Sequence, residues 1–271
     1  MSDLLIHSMA EFSDLILGSL EIAGARHIVE IGAEFGGMSH LLADFAASVG
    51  GNLTSIDPAP KPEFIEWARQ SPVVTHLAAP SLEVIHDLAD VDAWVIDGDH
   101  NYYTVYHELL AAGAASTRDG KPLLAFLHDV SWPTARRDMY YAPDRIPEAF
   151  RHPHEFGAGA MLDRIDLVAG EGFRGDANWA MANLSGGPRN GVLTAVEDFI
   201  AAASATGRVI AFAHIPAVFG LGILFDADAE WSASVAALVA PFHNNKLLAT
   251  VERNRLRNYL KVIEWQDRAT R

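Results

Sequence analysis

A chain of 271 residues, half of them hydrophobic, has room for one large α/β domain with a buried core, which excludes global disorder. The formal charge of −15, with no basic stripe, argues against a nucleic-acid surface, and the densest basic cluster, Arg253, Arg255, Arg257 and Lys261, reads as a solvated helix face. The absence of cysteine excludes disulfides and thiolate metal sites. No signal peptide is expected, because no charged region precedes a long apolar run at the N-terminus. No membrane span is expected either, since the stretch from Val209 to Phe225 is broken by His214, Pro216 and glycines. A soluble cytoplasmic protein is the expectation.

In chain order, residues 3–23 read as an amphipathic helix, with Leu5, Met9, Phe12, Ile16 and Leu20 at helical spacing and Gly24 as its C-cap. Ile28, Val29 and Ile31 form a short β-branched run suited to a buried parallel strand. Gly32, Gly36 and Gly37 follow, and a helix is predicted from about Met38 to Val49. Glycine permits a sharp turn and close approach of a ligand, and a helix N-terminus presents free N–H donors, so this stretch reads as a ligand cradle. A second strand, Asn52–Asp57, ends on an acid about twenty residues beyond the turn, where a carboxylate can accept from ribose hydroxyls. The alternative for Asp57 is a helix N-cap before Pro58.

Residues 62–70 read as a helix, Val73–Ala79 as a strand, and Ser81–Leu88 as a helix with Ser81 as N-cap. Ala93–Ile96 is a fourth strand leading into Asp97-Gly98-Asp99-His100. Tyr102–Ala115 is a helix, and Pro122–Leu127 a fifth strand ending at His128-Asp129. This regular alternation predicts a doubly wound parallel sheet. The pattern breaks over 131–191, which carries Pro133, Pro143, Pro147, Pro153 and Pro188 and is too long for a simple connection; it reads as a lid over a pocket, the least ordered part of the free protein. Its start, Trp132 to Tyr141, either contacts a planar or carboxylated substrate or packs on itself. Leu193–Ala205 is a helix, Val209–Ala213 and Gly220–Phe225 form a closing pair of strands, and 229–240 and 245–266 are helices. The last of these carries Leu248, Val251, Tyr259 and Ile263 on one face.

The residues Val29-Glu30-Ile31-Gly32, Gly36-Gly37-Met38-Ser39, Ser55-Ile56-Asp57 and Val95-Ile96-Asp97-Gly98-Asp99-His100 resemble the class I S-adenosylmethionine-dependent methyltransferases over about 20–130. The resemblance implies a single Rossmann-like domain with a seven-stranded, mostly parallel sheet whose last strand is antiparallel. Its parts would be an N-terminal helix (1–26), a cofactor core (27–130), a lid or substrate insertion (131–206), closing strands (207–226) and C-terminal helices (227–271). It implies S-adenosylmethionine as cofactor, with Glu30, Gly32, Gly36, Ser39, Asp57, Ser81 and Asp97 on the cofactor side. Glu30 would orient the turn near the amino end of the methionine, and Asp57 would be the ribose acid.

A narrower resemblance joins Asp97 to His128-Asp129. It is to metal-dependent O-methyltransferases of the catechol and antibiotic- or macrolide-sugar types, where an acid after the fourth strand and two ligands after the fifth hold Mg²⁺. Asp97, His128 and Asp129 would be the ligands. His128 stands where an acid is usual, so Mn²⁺, Fe²⁺, Zn²⁺ or no metal become alternatives to Mg²⁺. His100 occupies the position of a catalytic lysine, and Tyr103 matches a tyrosine of that motif. His128 is open between ligand, base and structural roles, and Asp99 between helix N-cap or turn residue and ligand.

From the residues themselves, two carboxylates at neighbouring strand ends repel unless a cation lies between them. Such a cation can hold vicinal hydroxyls, and an imidazole at position 100 can take the proton. The expected activity is methylation of a hydroxyl on a small natural product, sugar-like or phenolic substrate. The alternatives are a metal-free O- or N-methyltransferase with a histidine base, and a cofactor-binding protein with other chemistry. An NAD-dependent oxidoreductase is disfavoured, because the turn is Gly32-x-x-x-Gly36 without the tighter Gly-x-Gly-x-x-Gly. A homodimer or larger oligomer is expected through the apolar stripes of the terminal helices.

Overall fold

A computed structural model describes residues 8–270. In chain order the elements are α1 (Ser13–Ala23), β1 (His27–Ile31), α2 (Gly37–Ser48), β2 (Asn52–Ile56), α3 (Pro62–Gln70), β3 (Val74–Leu77), α4 (Ser81–Val84), β4 (Ala93–Ile96), α5 (Tyr102–Asp119) and β5 (Leu124–His128). An insertion of short strands follows: β6 (Met139–Tyr140), β7 (His154–Glu155), β8 (Ala158–Gly159), β9 (Val168–Ala169) and β10 (Ala180–Ala182). The chain closes with α6 (Val192–Ala205), β11 (Ile210–Ile215), β12 (Leu221–Asp226), α7 (Ser232–Val239) and α8 (Lys246–Thr270).

The main sheet has seven strands in the order β11-β12-β5-β4-β1-β2-β3. Five are parallel neighbours, and β12 runs antiparallel to both β5 and β11. The fold is therefore the doubly wound, Rossmann-like sheet expected, and the last strand in sequence is the reversed one. Strand order changes direction between β1 and β4, and ligands of open α/β sheets bind at such a switch point, beyond the carboxyl ends of the strands.

Alternation along each strand splits the core into two layers. Val29, Ile31, Trp94, Ile96, Ala125 and Leu127 face α5 and α6. Ile28, Leu53, Ala93, Val95, Leu124 and Phe126 face α1, α2 and α7. No described helix is long and apolar enough to cross a membrane.

Several boundaries moved for local reasons. The N-terminal helix begins as a 3-10 turn, Met9–Phe12, capped by Ser8, and ends at Gly24 with φ 65°. Leu5 lies outside the described residues. Ser81 does not cap α4; its hydroxyl donates to Glu108, and α4 passes into a 3-10 turn at Ile85–Asp87. Val251 is 58 % exposed, so it does not share the buried face of α8, where Leu256 is 3 % exposed.

The insertion is a folded unit. Two small sheets form it, β6-β10-β7 and β8-β9. Met139, Ala160 and Met181 make its core, with Trp132, Leu167, Phe173 and Trp179 packed around them.

Candidate active site

The turn after β1 closes on the end of β4. A Cβ on Gly32, whose φ is 89°, would lie 2.3 Å from the Asp97 carbonyl oxygen, so only glycine fits there. The Asp57 carboxylate at the end of β2 organises the same turn. Its Oδ2 accepts from the Ala33 and Glu34 amides at 2.9 and 3.1 Å, and its Oδ1 from the Ala59 amide at 2.8 Å. Asp57 is thus no N-cap: the next helix, α3, starts after Lys61.

Glu30 points from β1 into the α2 side of the sheet and is 1 % exposed. Its Oε2 accepts from the Ser39 and Ser55 hydroxyls at 2.6 and 2.7 Å, stapling the first turn of α2 to β2. Burial pushes its carboxyl up to about 7; the two serine bonds oppose the shift, and nearby Asp97 and Asp57 add to it. Ser39 is fully buried with its hydroxyl on Glu30, so it supports the turn from beneath instead of facing a ligand.

Ser81 and Glu108 form a second buried pair. Ser81 Oγ donates to Glu108 Oε1 at 2.5 Å, while Glu108 Oε2 has no partner. Burial pushes Glu108 up to about 8; the Ser81 bond opposes that, and the charge of Asp99 reinforces it. Glu108 went unread in the sequence, although an acid beside Val105, Leu109 and Ala112 on the apolar face of α5 was the available signal. Asp99 is not the cap of α5. Asn101 is, accepting from the Thr104 amide, and Asp99 accepts from the His100 amide and the Thr104 hydroxyl.

Asp97, His100 and Asp129 come together, with one potential ligand atom of each within 4.8 Å of the others. His100 Nδ1 is 3.0 Å from Asp129 Oδ2. His128 is buried beside them, its Nδ1 at 3.1 Å from Asp97 Oδ1 and 3.5 Å from Asp129 Oδ2. Its other nitrogen, Nε2, lies 2.8 Å from the Val218 carbonyl oxygen, an acceptor, so Nε2 carries a proton. Burial opposes charge on this ring, but Asp97 and Asp129 outweigh it and raise His128 to about 9.

Backbone strain supports this placement. Asp129 has φ 61°, and in the turn before β12 Val218 and Phe219 have φ 44° and 62°. A β-branched residue in the left-handed region is a costly conformation, of the kind found where a site demands it. Here it delivers the Val218 carbonyl to His128, because Leu221 is registered opposite His128 across the β12–β5 pair.

From the insertion, the Met139 amide donates to the His100 carbonyl at 3.0 Å. Tyr141 is 52 % exposed with its ring centre 6.0 Å from that of His100. Desolvation of its hydroxyl, then the charges of Asp129, Asp97, Asp99 and Glu34, raise its pKa. The other members of the 132–141 segment are spent on packing or pairing. Trp132 packs on Phe173 and Phe219, Arg136 pairs with Glu197, and Arg137 is buried on the carbonyls of Ala182 and Ile165. Tyr103 packs on Phe150 and His107.

Residues 29–130 match a protein family described as a methyltransferase domain. The resemblance to class I S-adenosylmethionine-dependent methyltransferases therefore rests on that segment. No curated protein matches the chain. Similar solved structures include the methyltransferase PaMTH1 of Podospora anserina bound to SAH, at 14 % identity, 83 % of this chain, 81 % of that chain and TM-score 0.47. The O-methyltransferase of Bacillus cereus in complex with SAH stands at 17 %, 81 % of each chain and 0.47. The O-methyltransferase TomG of Streptomyces achromogenes, involved in tomaymycin synthesis and in complex with SAM, stands at 17 %, 82 % of each chain and 0.45.

Proposed function

We propose that this chain, whose residues 29–130 match a methyltransferase domain, methylates a hydroxyl of a small molecule with S-adenosylmethionine as methyl donor. The observation that carries the reading is the convergence of Asp97, His100 and Asp129 at the carboxyl ends of β4 and β5, beside the Gly32 turn. The donor would lie over that turn, with its ribose towards Asp57 and its adenine towards Asp99, Ser81 and the unpartnered Oε2 of Glu108. A phenolic or sugar-like natural product suits a site rimmed by the exposed ring of Tyr141.

The chain's own chemistry would be proton removal. A proton on His100 Nδ1, donated to Asp129, leaves the Nε2 lone pair free to accept the proton of the substrate hydroxyl. The hydroxyl oxygen bonds to the methyl carbon as the methyl–sulfur bond breaks, and the electron pair stays on sulfur. The donor set also fits a divalent cation. Asp97, Asp129 and the Nδ1 of His128 or His100 would hold it, and the mixed nitrogen and oxygen ligands suit Mn²⁺ better than Mg²⁺. When bound, such a cation supplies a Lewis acid that acidifies the hydroxyl. His100 cannot serve as ligand and base in this way at once, because a cation would displace the Nδ1 proton.

A metal-free version has its own support. His128, raised to about 9 between two carboxylates, would be an imidazolium at neutral pH and would itself neutralise the pair. Calorimetry should find S-adenosylhomocysteine binding and no binding of NAD; the reverse would overturn the methyltransferase reading. Mn²⁺ should bind wild type and not Asp129→Ala, while full turnover after exhaustive chelation would select the metal-free version. His100→Ala should lose about 10²- to 10⁴-fold in rate with cofactor affinity kept.

A further inference from the structure

The two terminal helices, both amphipathic in sequence, end up differently. The stripe of α1 and the 3-10 turn before it is spent inside the molecule: Phe12, Ile16 and Leu20 are buried in the core. Helix α8 has two faces. Its inner face docks on the chain through Leu256 and through Glu252, which accepts from the Phe219 amide; Tyr259 meets Phe173, and Asp267 pairs with Arg174. The outer face is open to solvent and carries four apolar side chains among polar ones. Leu247 is 71 % exposed, Val251 58 %, Val262 43 % and Trp265 62 %.

The order of residues on that face says what covers it. Leu247, Val251, Asn254, Asn258, Lys261 and Trp265 follow an alternating four-three spacing, the seam of a helix pair. Apart from Val251 and Lys261, the seam has the same character in both directions from Leu256. Leu247 and Trp265 are equidistant from it, as are Val251 and Lys261, whose neighbour Val262 widens the apolar strip, and as are Asn254 and Asn258. Two copies laid antiparallel would therefore match apolar ends with apolar ends and place each Asn254 against an Asn258 of the other copy. An amide carries both donor and acceptor, so these pairs satisfy each other. A two-fold interface requires such self-complementarity, since one patch must serve both sides. A parallel pair would instead stack Trp265 on Trp265 and Lys261 on Lys261.

We propose that the outer face of α8 is a homodimer interface, in which two copies pair antiparallel about a two-fold axis at Leu256. The seam from Leu247 to Trp265 spans about 27 Å.

The absence of cysteine makes the arrangement directly testable. Sedimentation velocity from about 1 to 100 μM should show a dimer for wild type. Val251→Glu, at an exposed position, should shift the dimer constant at least tenfold towards monomer with an unchanged far-UV circular dichroism spectrum. Oxidative crosslinking supplies the geometry. A mixture of Asn254→Cys and Asn258→Cys chains should crosslink at least tenfold faster than either variant alone. A monomer at all concentrations, a dimer indifferent to Val251→Glu, or faster crosslinking of Asn254→Cys with itself would each overturn the proposal.

Discussion

Replacing Glu30 by glutamine isolates a buried ionisation on which the glycine turn rests. In the folded protein the carboxyl stands at about 7 instead of its ordinary 4.5, with burial the first cause. The folded state therefore holds this proton more tightly than the unfolded chain. Below pH 4.5 both states carry the proton and no penalty arises. Between 4.5 and about 7 the unfolded chain ionises first, so stability falls as pH rises; above about 7 the full penalty applies. At about 1.36 kcal/mol per pH unit the full penalty is roughly 3 kcal/mol, most of which develops between about pH 5 and about pH 8. Glutamine cannot ionise, yet its carbonyl oxygen can still accept from Ser39 and Ser55. Glu108 titrates in both proteins, so its contribution cancels in the comparison. Urea unfolding of wild type and Glu30→Gln should give a stability difference that moves in favour of the variant by roughly 2–3 kcal/mol across that range. Parallel curves, with a constant difference, would show that Glu30 is not held in its neutral form by burial.

Asp57→Ala should weaken S-adenosylhomocysteine binding by about 1.5–3 kcal/mol, the range for hydrogen bonds to a charged group. It should also speed amide exchange at Ala33 and Glu34, whose N–H groups it now holds; unchanged affinity and unchanged exchange would remove Asp57 from the site. Val218→Gly should unfold within about 1 kcal/mol of wild type, because relief of the left-handed strain offsets the lost side-chain contact. A loss above about 2 kcal/mol in thermal or urea unfolding would mean that the strain is absent or the valine side chain indispensable.

Strand identity and order of appearance were legible because buried parallel strands are written as short β-branched runs and helices as periodic ones. Ile28 to Ile31, Ala93 to Ile96 and Leu124 to Leu127 needed no tertiary information to be read as strands. The ends of those strands were legible too, and a parallel sheet must bring such ends to one edge. That is why Asp97, His100, His128 and Asp129 were nominated from sequence and are found together. Pairings between distant segments were not legible. Nothing local says that Glu30 takes Ser39 and Ser55, that Ser81 turns from capping to Glu108, or that a strained Val218 supplies the carbonyl for His128, because each bond is decided by register and crossover. The terminal helices make the same point. Their sequences carry equally clear apolar stripes, but a stripe states only that a face must be buried. The packing of the whole chain sends the stripe of α1 into the core and leaves the outer face of α8 in solvent.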